Sequence, residues 1–325
     1  MAHQLLIAQP RGFCAGVVRA VDIVERALER YGAPVYVLHE IVHNPRVLDD
    51  LRARGAIFTE NMAEIPRGSV LVFSAHGVPR SRYDEAAQRG LRVIDAICPL
   101  VLKVHREVTR HAAEGREVVL IGHAGHVEVE GILGSFDASA GGRIHRVDSV
   151  EDVARLRVDQ PENLAYVTQT TLSLRETETV VQALQRRFPR IRGPLREDIC
   201  YATQNRQNAV DAIAPRIDIL VVVGAHNSSN SNRLREVGAS HGLPAYQVEH
   251  PDELQPQWFR APVRIGLTAG ASTPDCLIDE VVNRLREWGV RQIVEAPAFD
   301  ENVHFPVPKS LSPELRAEVP AARPR

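Results

Sequence analysis

Short apolar runs alternate with amphipathic stretches along nearly the whole chain. The runs begin VYVLHEIVHN at residue 35, VLVFSAHGV at 70, VVLIGHAGH at 118, AYVTQTTL at 165, ILVVVGAHNSSNSN at 219 and VRIGLTAGAST at 263, and LLIA near the start resembles them. Each begins with apolar residues in little or no polar alternation, the pattern of a strand covered on both faces, as in a parallel sheet. Between them, segments such as AVDIVERALERYG and ETVVQALQRRF carry apolar residues three and four apart, which predicts helices with one buried stripe. Strand, polar loop and helix in repeated succession predict an α/β protein with mostly parallel sheets, whose ligands gather beyond the carboxyl ends of the strands.

A weak internal repeat divides the chain further. Asp95-Ala96-Ile97-Cys98 resembles Glu197-Asp198-Ile199-Cys200, and a helical stretch follows each. Cys14 likewise stands between LLIA and the helix AGVVRAVDIVERALERYG. These junctions predict three similar α/β units, each bringing one cysteine to a common centre. The expected units are residues 16–98, residues 99–196, and residues 1–15 joined with 197–272, leaving 273–325 as a C-terminal helix and tail. The last fifteen or so residues, rich in Pro, Ala and Arg, are expected to fray.

Composition narrows the function. The 325 residues are 44% hydrophobic and 25% charged, with a formal net charge of −2. A nucleic-acid partner is disfavoured, because phosphate-backbone binders carry a basic excess. An anionic substrate must therefore be held by a local site rather than by the field of the whole protein. No apolar run approaches the ~20 residues a membrane helix needs, and MAHQLLIAQPRG has no signal-peptide pattern, so a cytoplasmic location without membrane contact is the expectation.

Four cysteines, Cys14, Cys98, Cys200 and Cys276, are scattered with no CxxC pair, which leaves metal binding, catalysis or packing rather than disulfides. Pro99 suits a first helical position and an extended residue before it, so Cys98 is expected at a helix N-terminus. Cys14 and Cys200 occupy similar entries. The positive end of a helix lowers a thiol pKa and favours a thiolate. One such cysteine is explained by packing; three at equivalent junctions are better explained by a shared ligand. Cys276, inside STPDCLIDEVVNRLREW and beside Leu277, Ile278 and Val281, reads as core packing, with Thr273 as the helix cap and Pro274 as its first residue. Three thiolates can hold zinc or a [4Fe–4S] cluster with one iron open, and spacing does not choose between them.

The strand ends carry the remaining chemistry. GHAGHVEVEG places His123, His126 and Glu128 after one run, and in an extended loop His126 and Glu128 would point the same way. His43 and His76 follow two other runs at equivalent places. A histidine there can donate to an anion and a glutamate can supply a proton. Asn227 to Asn232 offer hydroxyls, amides and free backbone N–H groups where a helix begins, an anion site without formal charge. Capping alone would need one of these six residues. Ser272 adds another hydroxyl. Neither GxxxxGK[ST] nor GxGxxG occurs, and HExxH is absent.

Taken together, RGFCAGV, HEIVHN, FSAHGV, CPLV, GHxxHxEVEG, TQTTL, CYATQNRQ, NSSNSNRL and TAGAS resemble the 4-hydroxy-3-methylbut-2-enyl diphosphate reductases of the LytB family, in the same order from about residue 4 to residue 308. The resemblance implies a trefoil of three α/β units around a [4Fe–4S] cluster with one open iron, held by Cys14, Cys98 and Cys200. It implies that His43, His76, His126, Ser228, Ser229, Asn230 and Ser272 bind a diphosphate, that Glu128 is the proton donor, that Thr170 stands beside the substrate hydroxyl, and that Thr203 joins the same network. The implied reaction is the last step of non-mevalonate isoprenoid synthesis, with an allylic diphosphate substrate and a ferredoxin- or flavodoxin-like electron donor.

Three positions depart from the family pattern. Ile97 and Leu102 stand where threonines are usual, and Val127 where proline is usual. The lost hydroxyls near Cys98 are expected to shift the cluster potential, and the lost proline to loosen the Glu128 loop. They motivate a second reading, a non-catalytic cluster-binding paralogue that senses redox state. A zinc-dependent hydrolase of a phosphorylated small molecule would use the same thiolates and histidines.

Overall fold

The structure, a computed structural model, describes residues 3–259, 262–297 and 301–311. The chain opens with β1 (His3–Ile7) and α1 (Ala15–Tyr31). It then builds a first sheet from β2 (Val35–Leu38), β3 (Ala56–Thr59), β4 (Val70–Phe73) and β5 (Arg92–Asp95), with α2 (Pro45–Ala53) and α3 (Arg80–Gln88) between them. Next, α4 (Pro99–Ala113) leads to a second sheet of β6 (Glu117–Ile121), β7 (Ile144–Val147) and β8 (Leu164–Thr168), with α5 (Val127–Leu133), α6 (Val150–Arg155) and α7 (Leu174–Arg187). Finally, α8 (Tyr201–Ile213) precedes β9 (Ile219–Val223), α9 (Ser229–Ser240), β10 (Ala245–Val248), β11 (Arg264–Ala269), α10 (Asp275–Glu287) and β12 (Val290–Glu295).

Strand order is β3-β2-β4-β5 in the first sheet, β7-β6-β8 in the second and β10-β9-β11-β1-β12 in the third. Every strand pairing is parallel. The α/β class with parallel sheets is therefore as the sequence predicts. The first strand closes the third sheet from the far end of the chain, Leu5 lying opposite Ile265 on one side and Ile293 on the other. β12 was not foreseen: the segment expected as helix and tail contributes a strand to this sheet.

Each sheet is insulated by its own helices. In the first, Ala20, Ile23, Val24 and Ala27 of α1 pack with Val35, Val37 and Val72 on one side. Leu38, Leu71 and Phe73 pack against Met62, Ile65 and Ala86 on the other. β6 is buried along its entire length, between α4 and α5 on one face and α7 on the other. Backbone amides so buried must be paired, and the parallel ladders do this. The polar groups that the cores exclude collect at the carboxyl ends of the strands. There β4, β8 and β11 run into loops ending in Ala75, Thr170 and Ala271, whose carbonyls accept from the amides of Cys98, Cys200 and Cys14 respectively. One cysteine is thus moored to one strand end in each unit. Among the described residues no helix is long and apolar enough to cross a membrane.

Candidate functional site

Cys14, Cys98 and Cys200 are the N-cap residues of α1, α4 and α8, and none of their side chains caps its own helix. The sulfurs are free to face a central cavity of about 100 Å³, whose lining includes all three. Gly16 shows how close two of them lie: a β-carbon there would sit 2.7 Å from Cys98 Sγ and 3.7 Å from Cys14 Sγ. The Thr203 hydroxyl lies 3.1 Å from Cys200 Sγ. Burial, and next the neighbouring Cys14 sulfur, push the Cys98 thiol up to about 12, although the Leu100 and Val101 N–H groups pull the other way. The same two causes push Cys200 up to about 11. The expected lowering by the helix ends is thus outweighed in the protein alone, because three sulfurs share one desolvated space. A thiolate set in such a place calls for a bound cation.

The other strand ends bring the histidines together. The rings of His43 and His76 stack with centroids 4.2 Å apart, and His126 lies edge-on at 5.6 Å from His43 and 6.1 Å from His76. Burial, then the neighbouring His43, holds His76 well below the usual imidazole range, and burial lowers His126 to about 4. His126 Nδ1 accepts from the Glu128 amide at 3.1 Å, so the neutral ring carries its proton on Nε2 as a donor. His43 Nδ1 bonds the Glu40 carboxylate at 2.7 Å, and Asn227 Nδ2 donates to the same oxygen at 3.0 Å. Glu40 is a residue that the sequence reading missed; its position three before His43 was the available signal.

Glu128 is not in an extended loop, as expected, but in the first turn of α5, with His126 as N-cap. The residue is 1% exposed, and its carboxylate accepts from the Thr170 amide at 2.7 Å and the Thr170 hydroxyl at 3.1 Å. Burial raises it to about 7 against these hydrogen bonds. Two atoms of Thr170 and the helical backbone hold this side chain, so Val127 in place of proline does not leave it loose.

The first turn of α9 faces the same cavity. Ser228 is the N-cap, its hydroxyl accepting from the Ser231 amide at 3.4 Å. Ser229 Oγ donates to the Thr171 carbonyl at 3.0 Å, and Ser272 Oγ to the His43 carbonyl at 2.8 Å. Asn230 Oδ1 accepts from the Ala271 amide at 2.9 Å, and its amide group reaches Thr203 Oγ1 at 3.5 Å. These bonds tie the third sheet to the other two, and the α9 amides that no backbone carbonyl takes remain available for an anion.

Every residue expected at the site therefore lines one cavity: the three cysteines, His43, His76, His126, Glu128, Thr170, Thr203, Ser228, Ser229, Asn230 and Ser272. Val17, Val42, Ala75 and Val101, which sequence reading did not single out, supply an apolar wall. His123 stands aside, its Nδ1 2.7 Å from Asp148. Ile97 and Leu102 also stand aside. They line a separate cavity with Val78, Arg80, Tyr83 and His105, so the hydroxyls they lack are not lost from the site. That removes the observation behind the redox-sensing reading.

Cys276 corrects the sequence reading outright. It is exposed, while Leu277, Ile278, Val281, Val282 and Leu285 form the buried stripe of α10. The N-cap of that helix is Pro274, without a side-chain bond, and the Thr273 hydroxyl instead donates to the Val223 carbonyl at 2.9 Å.

The donor set fits an iron–sulfur group. Three free sulfurs at the starts of three separate helices line one desolvated space, where burial and the neighbouring Cys14 sulfur raise the cost of ionising Cys98 and Cys200. Sulfur is the ligand that soft iron clusters take.

Comparison with known proteins bears on this site. Residues 5–286 match the family model described as LytB protein. The chain is 55% identical over 308 residues to a 4-hydroxy-3-methylbut-2-enyl diphosphate reductase of Aromatoleum aromaticum, covering 95% of this chain and 97% of that protein. It is 53% identical over 319 residues to the protein of that description from Acinetobacter baylyi, covering 98% and 100%. Among solved structures, the E-1-hydroxy-2-methyl-but-2-enyl-4-diphosphate reductase of Plasmodium falciparum superposes with a TM-score of 0.90 at 37% identity, over 95% of this chain and 96% of that one.

Proposed function

This chain belongs to the LytB protein family, and from that premise we propose that it converts (E)-4-hydroxy-3-methylbut-2-enyl diphosphate to isopentenyl and dimethylallyl diphosphates. The observation that carries the reading is one cavity lined by three cysteine sulfurs, three clustered imidazoles and a carboxyl group with a pKa near neutrality. The reaction breaks the allylic C–O bond, consumes two electrons and two protons, and releases water.

Cys14, Cys98 and Cys200 would hold a [4Fe–4S] cluster with one iron open, which when bound supplies single electrons and Lewis acidity at the substrate hydroxyl. The chain's own groups do the rest. His43, His76 and His126, with the α9 amides, Ser228, Ser229, Asn230 and Ser272, take the diphosphate. The negative charge of that ligand favours protons on the His76 and His126 rings, which burial keeps neutral in its absence. Val17, Val42, Ala75 and Val101 suit the five-carbon chain and exclude water beside it. Thr170 orients Glu128, whose pKa of about 7 leaves a substantial protonated fraction near neutral pH to deliver to the departing oxygen. The electrons come from a ferredoxin- or flavodoxin-like donor protein, since the sequence carries no nicotinamide or flavin fingerprint.

The test is anaerobic purification with iron and sulfide determination, followed by incubation with reduced viologen and the allylic diphosphate. Iron with matching sulfide and formation of both five-carbon products is expected. Zinc without sulfide would replace this reading by the hydrolase. In the same preparation a Cys276→Ser variant is expected to keep its full iron content, because that thiol faces solvent away from the cavity.

A further inference from the structure

Three cations close a ring around the cysteines. Arg19, in the second turn of the helix that Cys14 opens, donates to the Ile97 carbonyl at 3.0 Å and the Asp95 carbonyl at 3.4 Å, just ahead of Cys98. Lys103, in the second turn of the helix that Cys98 opens, donates to the Arg196 carbonyl, to the Glu197 carbonyl at 3.0 Å and to Asp198 Oδ1 at 2.7 Å, just ahead of Cys200. Arg206, in the second turn of the helix that Cys200 opens, donates to the Gly12 carbonyl at 2.7 Å and the Phe13 carbonyl at 3.4 Å, just ahead of Cys14. Each helix thus grips the approach to the next cysteine, and the third returns to the first.

Apart from that of Asp95, the last residue of the edge strand β5, these carbonyls belong to irregular segments, where a side-chain donor can satisfy them. Arg206 is fully buried. The segment 301–311 fastens two members of the ring from behind: Glu301 pairs with Arg206 at 3.1 Å, and the Pro306 carbonyl accepts from Arg19 Nε at 2.8 Å. Cation-to-carbonyl struts also occur away from the site. Arg187 bonds the Val153 and Leu156 carbonyls, joining α7 to the end of α6 with no cysteine nearby.

We propose that Arg19, Lys103 and Arg206 are positioning residues forming a cyclic clasp, which sets the mutual distances of the three sulfurs and places three positive charges around an anionic cluster. The proposal rests on the assignment of Cys14, Cys98 and Cys200 as its ligands. Loosening any one strut frees one cysteine approach relative to its neighbour, so the cluster is lost more readily from a protein that remains folded.

The test uses anaerobically prepared holoenzyme, a ferrous chelator, and thermal unfolding of the metal-free protein. Arg19→Met and Lys103→Met are expected to release iron about tenfold faster than wild type, the scale of one lost charge-assisted hydrogen bond. Lys103→Arg and Arg19→Lys should restore most of the retention. The reduction potential of Arg19→Met should fall, since removing a positive charge disfavours the more negative reduced cluster. Because Lys103→Met strands a buried carboxylate, Lys103→Met/Asp198→Asn serves as the version that folds, with the same faster release expected. Arg187→Met should lower the unfolding temperature and leave iron release unchanged. Wild-type release rates in the clasp variants, or equal acceleration by Arg187→Met, would overturn the clasp. Wild-type protein prepared without iron and sulfide would overturn the ligand assignment beneath it.

Discussion

Glu128→Gln is expected to bind the allylic diphosphate within about twofold of wild type and to turn it over at least ~100-fold more slowly, the low end for a lost general acid. Glutamine fills the same space, and its carbonyl oxygen can still accept from the Thr170 amide. What it lacks is a transferable proton. Burial holds Glu128 near 7, so at neutral pH the wild-type protein is poised between the acid and its carboxylate. On that account kcat/KM falls as pH rises through about 7, and the variant's residual activity loses that limb. Single-turnover rates and binding measured separately across pH test both points; turnover near wild type would remove Glu128 from the chemistry.

The same group has a stability signature whose sign is opposite to the usual carboxylate. Its folded-state pKa lies above the ~4.3 of an unfolded glutamate, so the folded protein binds the extra proton. The resulting stabilisation is complete below about 4.3 and is lost as pH rises through about 7. Metal-free Glu128→Gln should therefore lose less stability than wild type between pH 5 and pH 8, read as unfolding temperatures at the two pH values.

Gly16→Ala is expected to lose most of its iron while the metal-free protein melts no lower than wild type. Within a helix, alanine is favoured over glycine by about 1 kcal/mol, so local propensity argues for a more stable variant. The added carbon would meet Cys98 Sγ at 2.7 Å, inside contact distance, with Cys14 Sγ behind it at 3.7 Å. In the metal-free protein the Cys98 side chain can turn aside, but with its sulfur held on a cluster, relief requires moving α1 or the Cys98 junction, and either spoils the spacing of the sulfurs. Overpacking of this kind costs roughly 1–3 kcal/mol, about ten- to hundredfold in retention if it falls on the cluster-bound form alone. Iron and sulfide per protein, compared with the melting curve of the same variant stripped of metal, separates the two effects. Full iron content would mean that these sulfurs do not meet beside Gly16.

The candidate site was legible in sequence to an unusual depth because its residues sit at strand ends and helix starts, where local pattern is strongest. Cys98-Pro99 announces a helix entry, and six small polar residues after ILVVV announce an anion-ready helix start. Among the local inferences that failed, two have a readable cause. The two histidines and two glycines ahead of Glu128 suggest a loop, yet the His126 ring supplies the N-cap and the helix begins at once. The apolar neighbours of Cys276 suggest core, although 277, 278, 281, 282 and 285 define a helical stripe that leaves 276 outside it.

Among the strands, the chain alone announced those buried on both faces: β1, β2, β4, β6, β9 and β11 are all interior to their sheets and read as continuous apolar runs. It also announced β8, an edge strand whose outer side is covered by the segment around Arg192. The strands it left unannounced, β3, β5, β7, β10 and β12, are all edges: in β5, β7, β10 and β12 polar residues break up the run, and β3 is a short AIFT with Ile57 exposed. Burial writes itself into sequence only where it is enforced on both sides. Tertiary structure alone decided that Arg206 reaches Gly12 across 194 residues, that Ile97 and Leu102 turn away from the sulfurs, and that helix ends which should favour thiolates instead crowd them together. Those outcomes depend on distances between units that share no local periodicity, and only the packing of the three sheets against one another sets them.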